Sequence, residues 1–329
     1  MKPAAPTPAA VAPVRVAPGA RRVWPHVRRA LTFGFFALVA WLLIREVRAI
    51  EWREVGAALR AHPPLGLATA AALAFASHLL YSSFDLLGRA RTGHTIGTLR
   101  VMATTFVSYV FNLNFGALIG GVAFRYRLYA RLGLSVAKTS EVLAISMLTN
   151  WIGYALLAGL VFLLSPPAMP ADWRLGDTAL RALGAGMVTV ALAYAALCAW
   201  SPRRTWTLRG HRLELPSLRF ALLQLAMSML NWLLVGAIVY TLLQQRVEFT
   251  TALGVLLIAA VAGVIAHVPA GLGVIEAVFV ALLSPRIPAS EVLAALLLYR
   301  GIYYLVPLLI GIVLHLGLEA RARGAGSRA

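Results

Sequence analysis

The sequence predicts an all-α polytopic membrane protein: six full transmembrane helices plus two re-entrant hairpins, arranged as an inverted-topology repeat. Three observations lead there. Of 329 residues, 60% are hydrophobic and 13% charged, with a mean hydropathy of +0.79, whereas a soluble domain carries roughly 25% charged residues. The apolar runs are about twenty residues long and do not alternate, which is the pattern of spanning helices rather than of barrel strands. The basic residues, 30 Lys+Arg against 12 Asp+Glu, cluster between those runs, as cytoplasmic loops facing anionic lipid require. No aromatic-rich basic sheet motif accompanies the formal charge of +18, so nucleic acid is not the expected partner.

Residues 1–29 are Pro/Ala-rich and then basic, the composition of a disordered cytoplasmic tail. The first apolar run, 30–44, is followed directly by Arg45-Glu46-Val47-Arg48 with no small-x-small cleavage site, so it reads as an uncleaved helix rather than a leader. Further runs fall at 65–87, 101–121, 139–164, 178–200, 220–243, 251–283 and 291–317. The single cysteine, Cys198, lies inside one of them and excludes a disulfide framework or a thiolate metal site. The closing segment, 318–329, is a second basic tail.

Two runs do not suit simple crossings. The run at 251–283 is too long for one span and is interrupted by His267-Val268-Pro269-Ala270-Gly271-Leu272-Gly273. Pro and clustered Gly break a helix, which leaves two half-helices folding back on each other. The run at 101–121 carries Asn112 and Asn114 at its centre, then Gly116, Gly120 and Gly121; amides in hydrocarbon are costly unless they face protein or water. Charge decides the second case. If 101–121 crosses once, loops nominally inside hold 12 Lys+Arg and those outside hold 16. If it turns back, the inside holds 21, namely six in 1–29, three in 88–100, four in 122–138, five in 201–219 and three in 318–329, and the outside seven. Only the hairpin obeys the positive-inside rule. Both termini are then cytoplasmic, and 30–164 and 178–317 become two repeats of opposite orientation within one transmembrane domain. In such folds substrate sites form near the midplane from broken helices.

Few ionisable groups lie within the runs. Asp85 stands near the inner end of the second span, two turns from His78. Arg125 and Arg127 follow the first hairpin, Glu276 follows the Gly-rich break of the second, and Arg300 is near the middle of the last span. A mid-membrane charge costs at least ~2.5–3.5 kcal/mol on insertion scales, so Arg300 needs an acidic or anionic partner: Glu276 or a lipid phosphate. Each group has a structural alternative: headgroup contacts for Arg125 and Arg127, an interfacial position for Asp85, an ion pair for Glu276 and Arg300, and interhelical hydrogen bonds for Asn112 and Asn114. His267 and His315 read as core or interfacial histidines. Metal, nucleotide and nucleophile-elbow motifs are absent from the sequence, so no cofactor and no metal is expected.

Three stretches resemble one family. They are Ser108-Tyr109-Val110-Phe111-Asn112-Leu113-Asn114-Phe115-Gly116 with Arg125-Tyr126-Arg127-Leu128-Tyr129, then Val268-Pro269-Ala270-Gly271-Leu272-Gly273-Val274-Ile275-Glu276, then Leu298-Tyr299-Arg300-Gly301-Ile302-Tyr303-Tyr304. Together they resemble the lysylphosphatidylglycerol synthase transmembrane (flippase-like) family, also called the UPF0104 family. The resemblance implies a lipid-translocating domain without the soluble aminoacyl-transferase domain of the synthase, and hence no aminoacyl-lipid synthesis. It carries over Asn112, Arg125, Arg127, Glu276, Arg300 and Tyr303 as motif positions, with Ala270 standing where a second glycine is common.

The expected function is movement of an anionic phospholipid or a polyprenyl-phosphate-linked lipid between the leaflets of a bacterial inner (cytoplasmic) membrane. Arginines and half-helix termini would hold the phosphate, Asn112, Asn114 and Tyr303 would complete the substrate site, and Asp85 or Glu276 would serve as proton carrier or counter-ion. Two other readings stand beside it. An intramembrane lipid-phosphate hydrolase would need a nucleophile or metal-activated water, and neither hairpin break contains a serine. A membrane scaffold for a separate partner synthase would need neither.

Overall fold

The computed structural model describes residues 52–170, 176–202, 205–208, 211–266 and 268–326. The expected tail 1–29, the first span 30–44 and His267 lie outside the described residues.

A short helix α1 (Trp52–Arg60) precedes α2 (Pro64–Ser82), which opens on a proline whose fixed φ suits a first helical turn. Ser83 breaks the helix, with its hydroxyl donating to Leu80 O (2.6 Å), and α3 (Phe84–Thr92) continues to a left-handed Gly93 cap. The second span is therefore two pieces rather than the single helix face expected, and His78 and Asp85 serve different neighbours. Next come α4 (Thr98–Phe115), a π-helical segment (Ala117–Ala123) and α5 (Phe124–Arg131). Long helices α6 (Val136–Leu164) and α7 (Asp177–Trp200) follow, then α8 (Leu218–Leu242). Ser135 and Ser217 cap α6 and α8 by accepting from Lys138 N and Phe220 N. The chain closes with α9 (Phe249–Ala266), a 3₁₀ turn (Pro269–Gly271), α10 (Val274–Leu283), α11 (Ala289–Tyr299), a second π-helical segment (Arg300–Leu305) and α12 (Val306–Gly326).

Two departures from expectation concern the elements themselves. Between α7 and α8 the chain forms a two-stranded antiparallel hairpin, β1 (Thr205–Leu208) with β2 (His211–Glu214), so the protein is helical but not purely so. Arg91, at the end of α3, pairs with Glu214 (3.1 Å) and ties this hairpin to the helices. Six helices among the described residues are long and apolar enough to cross a membrane; the first expected span, 30–44, is not among those residues. Five agree; the sixth is Phe249–Ala266, whose eighteen residues reach about 27 Å, because α9 begins before the run read from the sequence.

Both interrupted runs double back. Gly116 adopts φ 86°, and the π segment beyond it lies so close to α4 that a Cβ on Gly120 would stand 2.1 Å from the Phe111 carbonyl. Only glycine permits that approach. The loops flanking α4–α5, Gly93–Ile96 and Leu132–Ser135, share one cleft. In the second run α10 packs against α9, with Gly263 and Gly271 facing each other. Arg246 before α9 pairs with Glu291 in α11 (2.6 Å). His62, ahead of α2, meets Gln244, ahead of α9.

The main core packs α2, α8, α9, α10 and α11 around Ile238, Leu242, Phe279, Leu283 and Leu296. Outward faces stay apolar: Phe75, Trp200, Ile265 and Leu309 are all more than 60% exposed, as lipid-facing surfaces require and soluble ones do not.

Candidate functional site

Among the described residues, the polar groups enclosed between these helices include two ion pairs and a line of tyrosines between them. In the first pair, Arg125 on α5 meets Asp85 on α3 at 3.2 Å, with side-chain exposures of 5% and 0%. Tyr129, one turn beyond Arg125, donates to Asp85 Oδ2 at 2.9 Å, and Arg125 Nη2 donates to Ser146 on α6 at 3.3 Å. The break at Ser83 and the return at Gly116 bring these residues together. A charge so enclosed is tolerable only when paired and hydrogen-bonded.

In the second pair, Arg300 chelates Glu276. Its Nε donates to one carboxylate oxygen and its Nη2 to the other at 3.0 Å, the bidentate fork that lysine cannot make. Nη1 and Nη2 also donate to the carbonyls of Ala270 (3.1 Å) and Gly271 (3.3 Å) in the break between α9 and α10. Glu276 Oε2 accepts from Gly273 N at 2.9 Å, closing the first turn of α10. Four hydrogen bonds from Arg300 thus lock the segment after α11 to the broken one. Ala270 is held at φ 59°, a conformation that costs a non-glycine residue about 1–2 kcal/mol.

Between the pairs, Tyr81 stands beside Arg125 and stacks on Tyr109, ring centroids 3.5 Å apart. The Tyr109 and Tyr303 hydroxyls are 3.0 Å apart, and Tyr303 also meets Ser77 (2.9 Å), which donates to Asn231 on α8 (2.8 Å). Tyr303 neighbours Tyr304, and Tyr304 faces the Arg300 guanidinium at 5.5 Å. The π-helical segment Arg300–Leu305 releases backbone carbonyls from regular pairing: His78 Nε2 lies 3.1 Å from Tyr303 O, and Asn114 Nδ2 donates to Tyr304 O at 3.3 Å.

Of the residues singled out in the sequence, Asp85 with Arg125, Glu276 with Arg300, and Asn114 with the Tyr303–Tyr304 segment come together. Asn112 lies against Gly121 within the first turn-back, and Arg127 is exposed. Ser77, Tyr81, Tyr109, Tyr129, Ser146 and Asn231 were not foreseen as site residues. Ser77, Tyr81, Ser146 and Asn231 are neutral polar groups inside apolar runs, while Tyr109 and Tyr129 stand within the quoted motif stretches without having been singled out.

A sequence model of the family described as "Lysylphosphatidylglycerol synthase TM region" matches residues 29–311. The chain is 40% identical to the inner membrane protein YbhN of Escherichia coli (strain K12) over 301 residues, covering 91% of this chain and 95% of that protein. It is 30% identical over 278 residues to the uncharacterized protein slr0712 of Synechocystis, covering 83% and 85%. A 91-residue stretch, 26% of this chain, is 36% identical to part of the phosphatidylglycerol lysyltransferase of Staphylococcus haemolyticus, covering 11% of that enzyme.

Proposed function

We propose that this chain, which belongs to the lysylphosphatidylglycerol synthase TM region family, moves an anionic lipid between the leaflets of a bacterial inner membrane and is not itself an enzyme. One observation carries the reading: a continuous line of buried polar side chains joins the Asp85–Arg125 pair to the Glu276–Arg300 pair through Tyr81, Tyr109, Tyr303 and Tyr304. Helices that only need to sit in lipid do not require such a line, since each buried polar group costs free energy unless satisfied.

In this conformation the line is closed, with Tyr303 1% exposed. Opening falls to the broken elements, because the turns at Gly116, Gly271 and Gly273 and the two π-helical segments lack the continuous hydrogen-bond ladder of a rigid helix. A phosphate entering the line exchanges with Asp85 or Glu276 for an arginine, and the released carboxylate takes a proton or counter-ion. The two turn-backs act as re-entrant hairpins from opposite faces, both termini are cytoplasmic, and alternate exposure follows from motion of one repeat against the other.

Native mass spectrometry of the purified protein tests the lipid class. Wild type retains anionic lipids in preference to zwitterionic ones, and Arg125→Lys with Arg300→Lys loses that preference because lysine lacks the planar fork. Equal retention of zwitterionic lipid by wild type would overturn the reading. Cysteines at Ala137 and Arg286 test the topology: the first is labelled only from the cytoplasm and the second only from outside.

A further inference from the structure

At the end of the array where α3 and α5 finish, a cleft of about 350 Å³ opens between the loops Gly93–Ile96 and Leu132–Ser135. That volume falls within the range of small-ligand sites. His94 lines it and is 7% exposed, yet neither ring nitrogen has a hydrogen-bond partner among the described residues. A buried imidazole with both nitrogens unsatisfied is an uncommon and costly arrangement. The same cleft holds Ser135 and Lys138, the N-cap and first turn of the 29-residue helix α6. Ser135 accepts from Lys138 N, the earlier first-turn N–H groups have no acceptor within their own helix, and the helix N-terminus favours negative charge. Leu134 and Ile96 line the cleft and pack beneath against Tyr129, the residue that donates to Asp85.

We infer that this cleft is a binding site for a phosphate-class anion, held by His94, Lys138 and the first turn of α6. The electrostatic surroundings agree. Burial lowers the His94 pKa first, and the Arg89 and Lys138 cations lower it further, with Asp85 beyond Tyr129 opposing them. An anion in the cleft removes that repulsion, supplies an acceptor for the imidazolium and draws a proton onto His94. Occupancy does not depend on lipid crossing the membrane, so the site stands or falls separately from the transport reading.

The test is nuclear magnetic resonance of the histidine rings in the full chain, with the His94 signal assigned by His94→Gln. Nanodiscs of phosphatidylcholine receive inorganic phosphate in one arm, and nanodiscs containing phosphatidylglycerol receive none in the other. A saturable shift of the His94 ring with a raised pKa in the first arm identifies a soluble phosphate. The same shift only in the second identifies a lipid phosphodiester. Lys138 is exposed, so Lys138→Gln folds normally and weakens the effective arm by about tenfold, the loss of one charge-assisted bond. A His94 ring unmoved in both arms, or Lys138→Gln binding as wild type, would overturn the assignment.

Discussion

Asp85→Asn strands a buried arginine. The amide preserves the shape of the carboxylate and keeps an acceptor for Tyr129, but it removes the charge facing Arg125, which is 4% exposed. An arginine stays charged in a protein, and the remaining contact is a 3.3 Å bond to Ser146, with Tyr81 alongside and Nε unpartnered. Breaking one side of a buried pair costs about 3–5 kcal/mol, a large share of a total stability of roughly 5–15 kcal/mol. The midpoint of thermal unfolding, followed by tryptophan fluorescence in detergent, falls on the order of 10 °C. Replacing both partners, Asp85→Leu with Arg125→Met, removes the stranded charge and leaves only neutral hydroxyls short of a partner, Tyr129 without its acceptor and Ser146 without its donor, each costing less than an unpaired buried charge. The double variant is therefore more stable than Asp85→Asn alone. If Asp85→Asn unfolds within a degree or two of wild type, or the double variant is the less stable, the pair does not carry the charge balance described here.

Three further outcomes follow from single positions. Gly120→Ala places a methyl group 2.1 Å from the Phe111 backbone and destabilises by about 3 kcal/mol or more, whereas Gly186→Ala meets nothing within 4 Å and is neutral or slightly stabilising; paired unfolding curves separate them. Ala270→Gly relieves a positive φ and stabilises by up to about 1 kcal/mol, while Gly271→Ala at φ +59°, with Ile275 3.1 Å away, costs about that much. His62 and His94 lie outside the spanning helices and have folded pKa values below the ordinary 6.5, burial being the first cause in both. Their contribution is complete above pH 6.5 and is lost as pH falls through the folded values, so the unfolding midpoint is lower at pH 5.5 than at pH 7.5. In His94→Gln that drop is smaller.

The breaks were legible because Gly and Pro announce them: Gly116 and the Pro269–Gly273 stretch turn where the sequence placed the turns. Arg300 was legible as a residue in need of an anion, since a lone mid-membrane charge has nowhere to go, and Glu276 stands against it. Asp85 and Arg125 were each noticed, but not their pairing. Forty residues separate them, and each has an interfacial explanation of its own. The tyrosine line was hidden for a different reason. Tyr81, Tyr109 and Tyr303 pack as aromatics do anywhere, and only the fold reveals that their polar ends meet. The β1–β2 hairpin sat in a segment read through its arginines, where a four-residue alternation is too brief to register. The π-helical segment at Arg300–Leu305 has no sequence marker.

Reconstitution tests the account at its centre. Wild-type protein in liposomes carrying a fluorescent phosphatidylglycerol on both leaflets is exposed to a membrane-impermeant quencher. The account predicts that the inner-leaflet signal is lost as lipid moves outward, and that Glu276→Leu with Arg300→Met, folded by its unfolding curve, leaves that signal protected. Protection of the inner leaflet by wild type would contradict the transport claim. Unchanged movement in the folded double variant would remove Glu276 and Arg300 from the route.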